Sequence, residues 1–102
     1  MRVQLKVEGG IAYFPGLSRP RVIESDKLSE EEAAKLERLV NAAHFFESPT
    51  VVGQVREGAA DYRQYTVTIA EGRRSHTVRL NDPIQDTNLL ALLDFIKARA
   101  KG

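Results

Sequence analysis

Apolar and polar side chains alternate along three stretches of this chain, and the alternation limits what it can fold into. Val3, Leu5 and Val7 alternate with polar residues near the start, which predicts a strand with one buried face. Two more alternating runs, 64–69 and 76–80, are separated by a short glycine-containing turn. We therefore predict a β-hairpin there and a sheet that buries one of its faces.

A glycine pair, Gly9-Gly10, marks a turn after the first strand. The next residues, Ile11 to Phe14, can continue into a strand, but Pro15-Gly16 and Arg19-Pro20 interrupt it. A return strand around Arg21 to Glu24 is therefore favoured. The connection between the two strands is rich in aromatic and aliphatic side chains, which either fold back onto the core or await a partner.

Two helices are indicated. Ser29 and Glu32 have the spacing of a capping box, in which the Ser29 hydroxyl accepts from the Glu32 backbone N–H and the Glu32 carboxylate accepts from the Ser29 N–H. Either Asp86 or Thr87 can cap a second helix, whose apolar arc is broad enough to lie across the sheet. That arc consists of Leu89, Leu90, Leu92, Leu93, Phe95 and Ile96.

Two adjacent aromatic residues, Phe45 and Phe46, follow the first helix. Pro49 disfavours helical geometry at the residue before it, so the helix is expected to end within this segment. We expect one ring to enter the core and the other to cover the edge of the sheet.

The order of these elements, with strands first and then helix, hairpin and helix, predicts an α+β fold. We expect a two-layer sandwich in which two helices pack on a mainly antiparallel sheet of about four strands. Residues 50–60 contain two glycines and no clear period, which predicts a loop with at most a short edge strand. The chain has 102 residues, which fits a single domain over 1–102.

The composition argues against most catalytic and metal chemistry. The chain has no cysteine and only two histidines, which lie on different predicted elements without a carboxylate at metal-ligand spacing. We expect His44 to cap a helix end and His76 to lie on a strand face. Asp82 and Asp86 are expected to serve as turn and cap. The hypothesis is therefore a chain with no catalytic residue, no metal site, no cofactor and no enzyme activity.

The charge balance argues against two further classes of partner. Fifteen Lys and Arg against fourteen Asp and Glu leave a net charge of +1, which indicates neither nucleic acid nor a membrane surface and predicts little electrostatic steering. Arg73 and Arg74 at the hairpin tip either contact an anion or keep the tip charged and block edge pairing. No stretch approaches the roughly 20 apolar residues of a membrane span.

Several short motifs follow one another along the chain in a definite order. They are Gly9-Gly10-Ile11-Ala12 after the first strand, Leu28 with Leu36, Leu39 and Val40, the A-x-F-F-x-x-P run at 43–49, Asp61-Tyr62-Arg63-Gln64-Tyr65 leading into Val67 and Ile69, and His76-Thr77-Val78 before Asp82. Their order and spacing resemble the emfourin family, the proteinaceous inhibitors of protealysin and other thermolysin-like metallopeptidases. The resemblance spans nearly the whole chain.

The resemblance implies a bacterial, cytoplasmic protein that binds a thermolysin-like metallopeptidase of the protealysin type and blocks its active-site cleft. It implies no cofactor, and we expect a monomer or a weak dimer. A rigid apolar loop after the first strand would supply the main contact, with Arg73 and Arg74 as a secondary one. The loop contact is expected to involve Gly9, Gly10, Ile11, Ala12, Tyr13, Phe14, Pro15 and Leu17.

Two alternatives remain open from the residues alone. The same loop, or an exposed sheet edge, can serve an adaptor module that binds a partner other than a peptidase. Arg73 and Arg74 can bind phosphate or RNA, which predicts a strong dependence of association on salt.

Overall fold

A computed structural model describes residues 1–9, 21–53, 63–81 and 84–99. Within these ranges, two short 3-10 helices at Ser25–Lys27 and Phe45–Glu47 accompany the main elements. In chain order the strands and helices are β1 (Arg2–Gly9), β2 (Arg21–Glu24), α1 (Glu30–Ala42), β3 (Val51–Val52), β4 (Arg63–Glu71), β5 (Arg74–Asn81) and α2 (Thr87–Arg99).

The strands form one sheet in the order β2-β1-β4-β5-β3. All neighbours pair antiparallel except β3, which runs parallel to β5. The α+β prediction is confirmed, as are the hairpin and the return strand at Arg21–Glu24. The sheet has five strands, whereas we expected about four. The additional strand is the two-residue β3, which matches the short edge strand that we allowed for within residues 50–60.

One face of the sheet carries the core. Val3, Ile69 and Val78 are fully buried on three successive central strands, and Leu36 of α1 and Ile96 of α2 are fully buried against them. All five belong to a single apolar cluster. Of the broad arc predicted for α2, Leu90 is the exception, since 38% of it is exposed. The two helices therefore cover one sheet face as a second layer.

The ends of α1 follow from local chemistry. Ser29 is the N-cap, and its hydroxyl accepts from the Glu32 backbone N–H at 3.1 Å, which confirms half of the capping box. The Glu32 carboxylate instead accepts from Arg99 Nε of α2 at 3.0 Å and ties the two helices together. The helix ends at Ala42, ahead of Pro49, because His44 adopts the left-handed conformation with φ of 50°.

The cap of α2 is Asp86. Its Oδ1 accepts from the backbone N–H groups of Asn88 at 2.9 Å and Leu89 at 3.1 Å. Thr87 is the first residue of the helix itself. This settles the choice between the two candidate caps and places Leu89, the first buried residue of the helix, directly after the capped turn.

We predict that Asp86→Ala lowers the free energy of unfolding by about 1 kcal/mol, because two N–H groups at the start of α2 lose their acceptor. Thr87→Ala, one position along, is the matched control and should change it by less than about 0.5 kcal/mol. Urea unfolding of the three proteins measures both values. Equal losses in the two variants would contradict the assignment of the cap.

Candidate functional site

Four backbone segments meet at one end of the sheet, which we call the loop end and define by Gly9, Gly53, Arg63 and Asn81. Gly9 closes β1 opposite Arg63, the first residue of β4. Asn81 closes β5 beside the start of β4, and its Nδ2 donates to the Gly53 carbonyl at 3.3 Å just past β3. Arg21 begins β2 further from this end, opposite Leu5 of β1.

The first strand holds the predicted contact loop at its base. β1 is hydrogen-bonded to β2 over Arg2 to Leu5 and to β4 over Arg2 to Gly9. Gly9 is the described member of the predicted loop contact. The other predicted contact residues lie outside the described residues, so their role stays a prediction: Gly10, Ile11, Ala12, Tyr13, Phe14, Pro15 and Leu17.

A tight joint between Gly53 and Asn81 shapes the loop end, and the sequence did not reveal it. Asn81 is 97% buried, since only 3% of it is exposed, and its Oδ1 has no hydrogen-bond partner among the described residues. Gly53 has φ of +87°, and a Cβ built there would lie 2.8 Å from the Asn81 carbonyl oxygen. The backbones thus approach closely at a position where any side chain would be strained.

Arg73 and Arg74 lie at the opposite end of the sheet. They follow Gly72, whose φ of +61° suits the first position of a two-residue hairpin turn. Arg74 is already engaged within the chain: its Nη2 is 3.0 Å from Glu71 Oε1, and its guanidinium lies 3.9 Å from the centre of the Phe46 ring. Arg73 is exposed. A single interface containing Gly9 and the arginines would have to run the length of β4, about 27 Å.

The aromatic pair after α1 behaves as expected. Phe45 is 1% exposed and belongs to the core, whereas Phe46 is half-buried and packs edge-on to Phe45 and under Arg74 of β5. His76 lies on β5 and its Nε2 is 2.7 Å from the Ser48 carbonyl oxygen, which pins the segment after α1 to the sheet. His44 lies at the end of α1. Both histidine predictions are confirmed.

Metal clusters and membrane-spanning helices are both absent from the described residues. Ranges 1–9, 21–53, 63–81 and 84–99 contain no group of three or more His, Cys, Asp or Glu side chains placed to hold a metal ion. The helices in this part of the chain do not combine the length and the apolar character that a membrane span requires. The loop end is the candidate site because it holds the base of the predicted contact loop at Gly9.

Comparison with known proteins gives one family match. The model of the family described as Emfourin matches residues 5–97. A search of curated proteins found no match. Among solved structures, the chain is similar to emfourin from Serratia proteamaculans, described as an M4 family peptidase inhibitor, with 24% identity over 99% of this chain and 90% of that one. The TM-score is 0.39, too low to add to the family match.

The joint at the loop end generates a stability prediction. Gly53→Ala should lower the free energy of unfolding by about 2–3 kcal/mol, because it combines an unfavourable φ with a clash against a backbone oxygen. Gly72→Ala, which has a positive φ but open space around the new Cβ, is the matched control and should cost about 1 kcal/mol. Urea unfolding compares them; a loss at Gly53 no larger than at Gly72 would mean that the joint is not tight.

Proposed function

The chain belongs to the emfourin family, and we propose that it is a proteinaceous inhibitor of a thermolysin-like zinc metallopeptidase of the protealysin type. It acts without enzyme activity or a cofactor of its own. The segment after β1 occupies the active-site cleft of the peptidase. The protein works in the cytoplasm, where it guards the cell against its own peptidase.

The pairing of β1 with β2 is the observation that carries the cleft-blocking proposal. The eleven residues between Gly9 and Arg21 are attached at both ends to strands that are hydrogen-bonded to each other. Arg21 pairs with Leu5, which lies four residues before Gly9 on the neighbouring strand. Gly9 and Arg21 are therefore about 14 Å apart. Eleven residues have a reach of up to about 40 Å, which is long enough to project and return.

Thermolysin-like clefts take an extended backbone and favour a bulky apolar residue just after the scissile bond, as the family resemblance implies. Tyr13, Phe14 and Leu17 supply such side chains within the proposed contact. Gly10 permits close approach of backbone to the cleft, and Pro15 reduces the conformational entropy lost on binding. The contact is therefore apolar and depends on shape, in keeping with a chain that has no cysteine and two histidines.

An inhibitor that enters a protease cleft must resist turnover. β1 is held along all eight of its residues by β4, and β2 is held by β1. If the segment between them were cut, both new ends would stay attached to the same sheet and close to the cleft. The cut peptide bond could then re-form, or the two ends could stay bound in the cleft, before the fragments were released. Both outcomes favour lasting inhibition.

The proposed function is tested by following hydrolysis of a peptide substrate by several thermolysin-like peptidases in the presence of micromolar protein. We expect at least one to be inhibited at a one-to-one ratio. Unchanged rates across all of them would contradict the proposal and leave the adaptor alternative. Finding a gene for such a peptidase beside the gene for this chain would support the inhibitor.

The loop assignment makes a sharper prediction. Tyr13→Ala and Phe14→Ala should each weaken inhibition by about tenfold or more, because each removes apolar area from the contact, while the melting temperature stays within about 2 °C of the original. Leu90→Ala, which truncates an exposed leucine on α2, is the control and should inhibit normally. If the loop variants mainly unfold the protein, the two rings belong to the core and the assignment is wrong.

A further inference from the structure

The side of the sheet opposite the helices, which we call the open face, is not covered by any described element. Partners in the strand register share a face, so one row across it runs Val22, Gln4, Thr68 and Thr77. Val22 is 44% exposed, and the Thr68 and Thr77 hydroxyls lie 2.8 Å apart. Short side chains make this row flat, which suits contact with another protein surface.

The next row carries positive charge. It runs Lys6, Thr66, Arg79 and Val51 across β1, β4, β5 and β3. Arg79 and Val51 are exposed, and Arg2 adds a further exposed cation at the other end of β1. The open face thus combines hydroxyls, an apolar margin and at least three cationic side chains.

Carboxylates also belong to the open face. By the same register Glu8 of β1 lies on it, opposite Gln64 of β4. Glu24, opposite Arg2 at the margin of the open face, is paired with Lys27 at 3.2 Å. The exposed glutamates of α1, Glu30, Glu31 and Glu37, belong to the helical layer on the other side of the sheet. The open face is thus modestly basic, since it carries the cations Arg2, Lys6 and Arg79 and the carboxylates Glu8 and Glu24, of which Glu24 is already paired with Lys27.

The size of the interface requires a second contact. A stable complex buries about 800 Å² on each partner, which is more than one short loop supplies. The described rows of the open face extend about 20 Å across five strands and about 15 Å along them, on the order of 300 Å². The open face begins beside the loop end, so one rigid partner can reach both.

We propose that the open face is the second docking surface for the peptidase and that it binds a carboxylate-bearing region of the peptidase beside the cleft. This inference rests on the proposed function. A second copy of this chain fits less well, because cations outnumber carboxylates on the open face and two such faces would repel each other.

The experiment compares single variants in inhibition assays with a peptidase that the unaltered protein inhibits. Arg79→Glu should raise the inhibition constant at least tenfold, mainly through slower association, and should flatten the dependence of the association rate on salt. Arg38→Glu makes the same change of charge on the exposed side of α1 and should stay within about twofold. Thermal unfolding confirms that each variant is folded.

Thr77→Tyr tests direct contact without a change of charge. It adds a bulky ring to an exposed strand position that tolerates aromatic residues, and it should also weaken inhibition about tenfold. Normal inhibition by both Arg79→Glu and Thr77→Tyr would overturn the docking surface while leaving the loop function intact. Equal losses in Arg79→Glu and Arg38→Glu would overturn it too, because the effect would then be one of total charge.

Self-association is measured on the free protein by analytical ultracentrifugation. We expect the same sedimentation for the unaltered protein and Arg79→Glu. A dimer that Arg79→Glu dissociates would assign the open face to a second copy of the chain and overturn the proposal. Failure of the unaltered protein to inhibit any peptidase would remove the proposed function itself, and this inference with it.

Discussion

The two-sided pairing of β1 is the constraint on which the rest of the structure depends. β1 bonds to β4 along its whole length and to β2 over four residues, so its alternating side chains are fixed on two opposite faces. A slip of one residue would move Val3 and Leu5 out of the core and onto the open face. The same pairing attaches both ends of the segment between Gly9 and Arg21 to one sheet, which is what the inhibitory proposal requires.

The division of the sheet into two unlike faces explains how a small domain can stay folded and still present a large surface. Helices α1 and α2 bury one face and are tied to each other by Glu32 and Arg99. The open face contributes little to the core and is free to vary in charge. The net charge alone predicts little electrostatic steering, whereas the proposed docking surface would use Arg2 and Arg79 to attract an acidic partner.

Much of the fold could be predicted from the sequence because its signals are local. The alternating runs, the Ser29 cap and the prolines that interrupt residues 15–20 each act within a few positions, and the hairpin, α1 and Arg21–Glu24 follow from them. Long-range features could not be predicted. β3 has only two residues and no period of its own, and its pairing depends on β5, which lies more than twenty residues further along.

In the candidate site, too, local features could be predicted from the sequence and long-range contacts could not. Adjacent glycines marked the turn after β1, but the contact between Gly53 and Asn81 joins residues 28 positions apart and leaves no pattern in the sequence. We expected Arg74 at an exposed hairpin tip, where it would either contact an anion or keep the tip charged and block edge pairing. Its contact with Phe46 arises only because the segment after α1 returns to β5, where the His76 ring meets the Ser48 carbonyl.

Hydrogen exchange of the free protein and of its complex with an inhibited peptidase tests the central claim most directly, because it reports which backbone segments the partner covers. The account predicts strong new protection in peptides that span residues 10–20, with the exposed side of α1 unchanged. Protection confined to α1 and α2, with residues 10–20 exchanging as in the free protein, would contradict it.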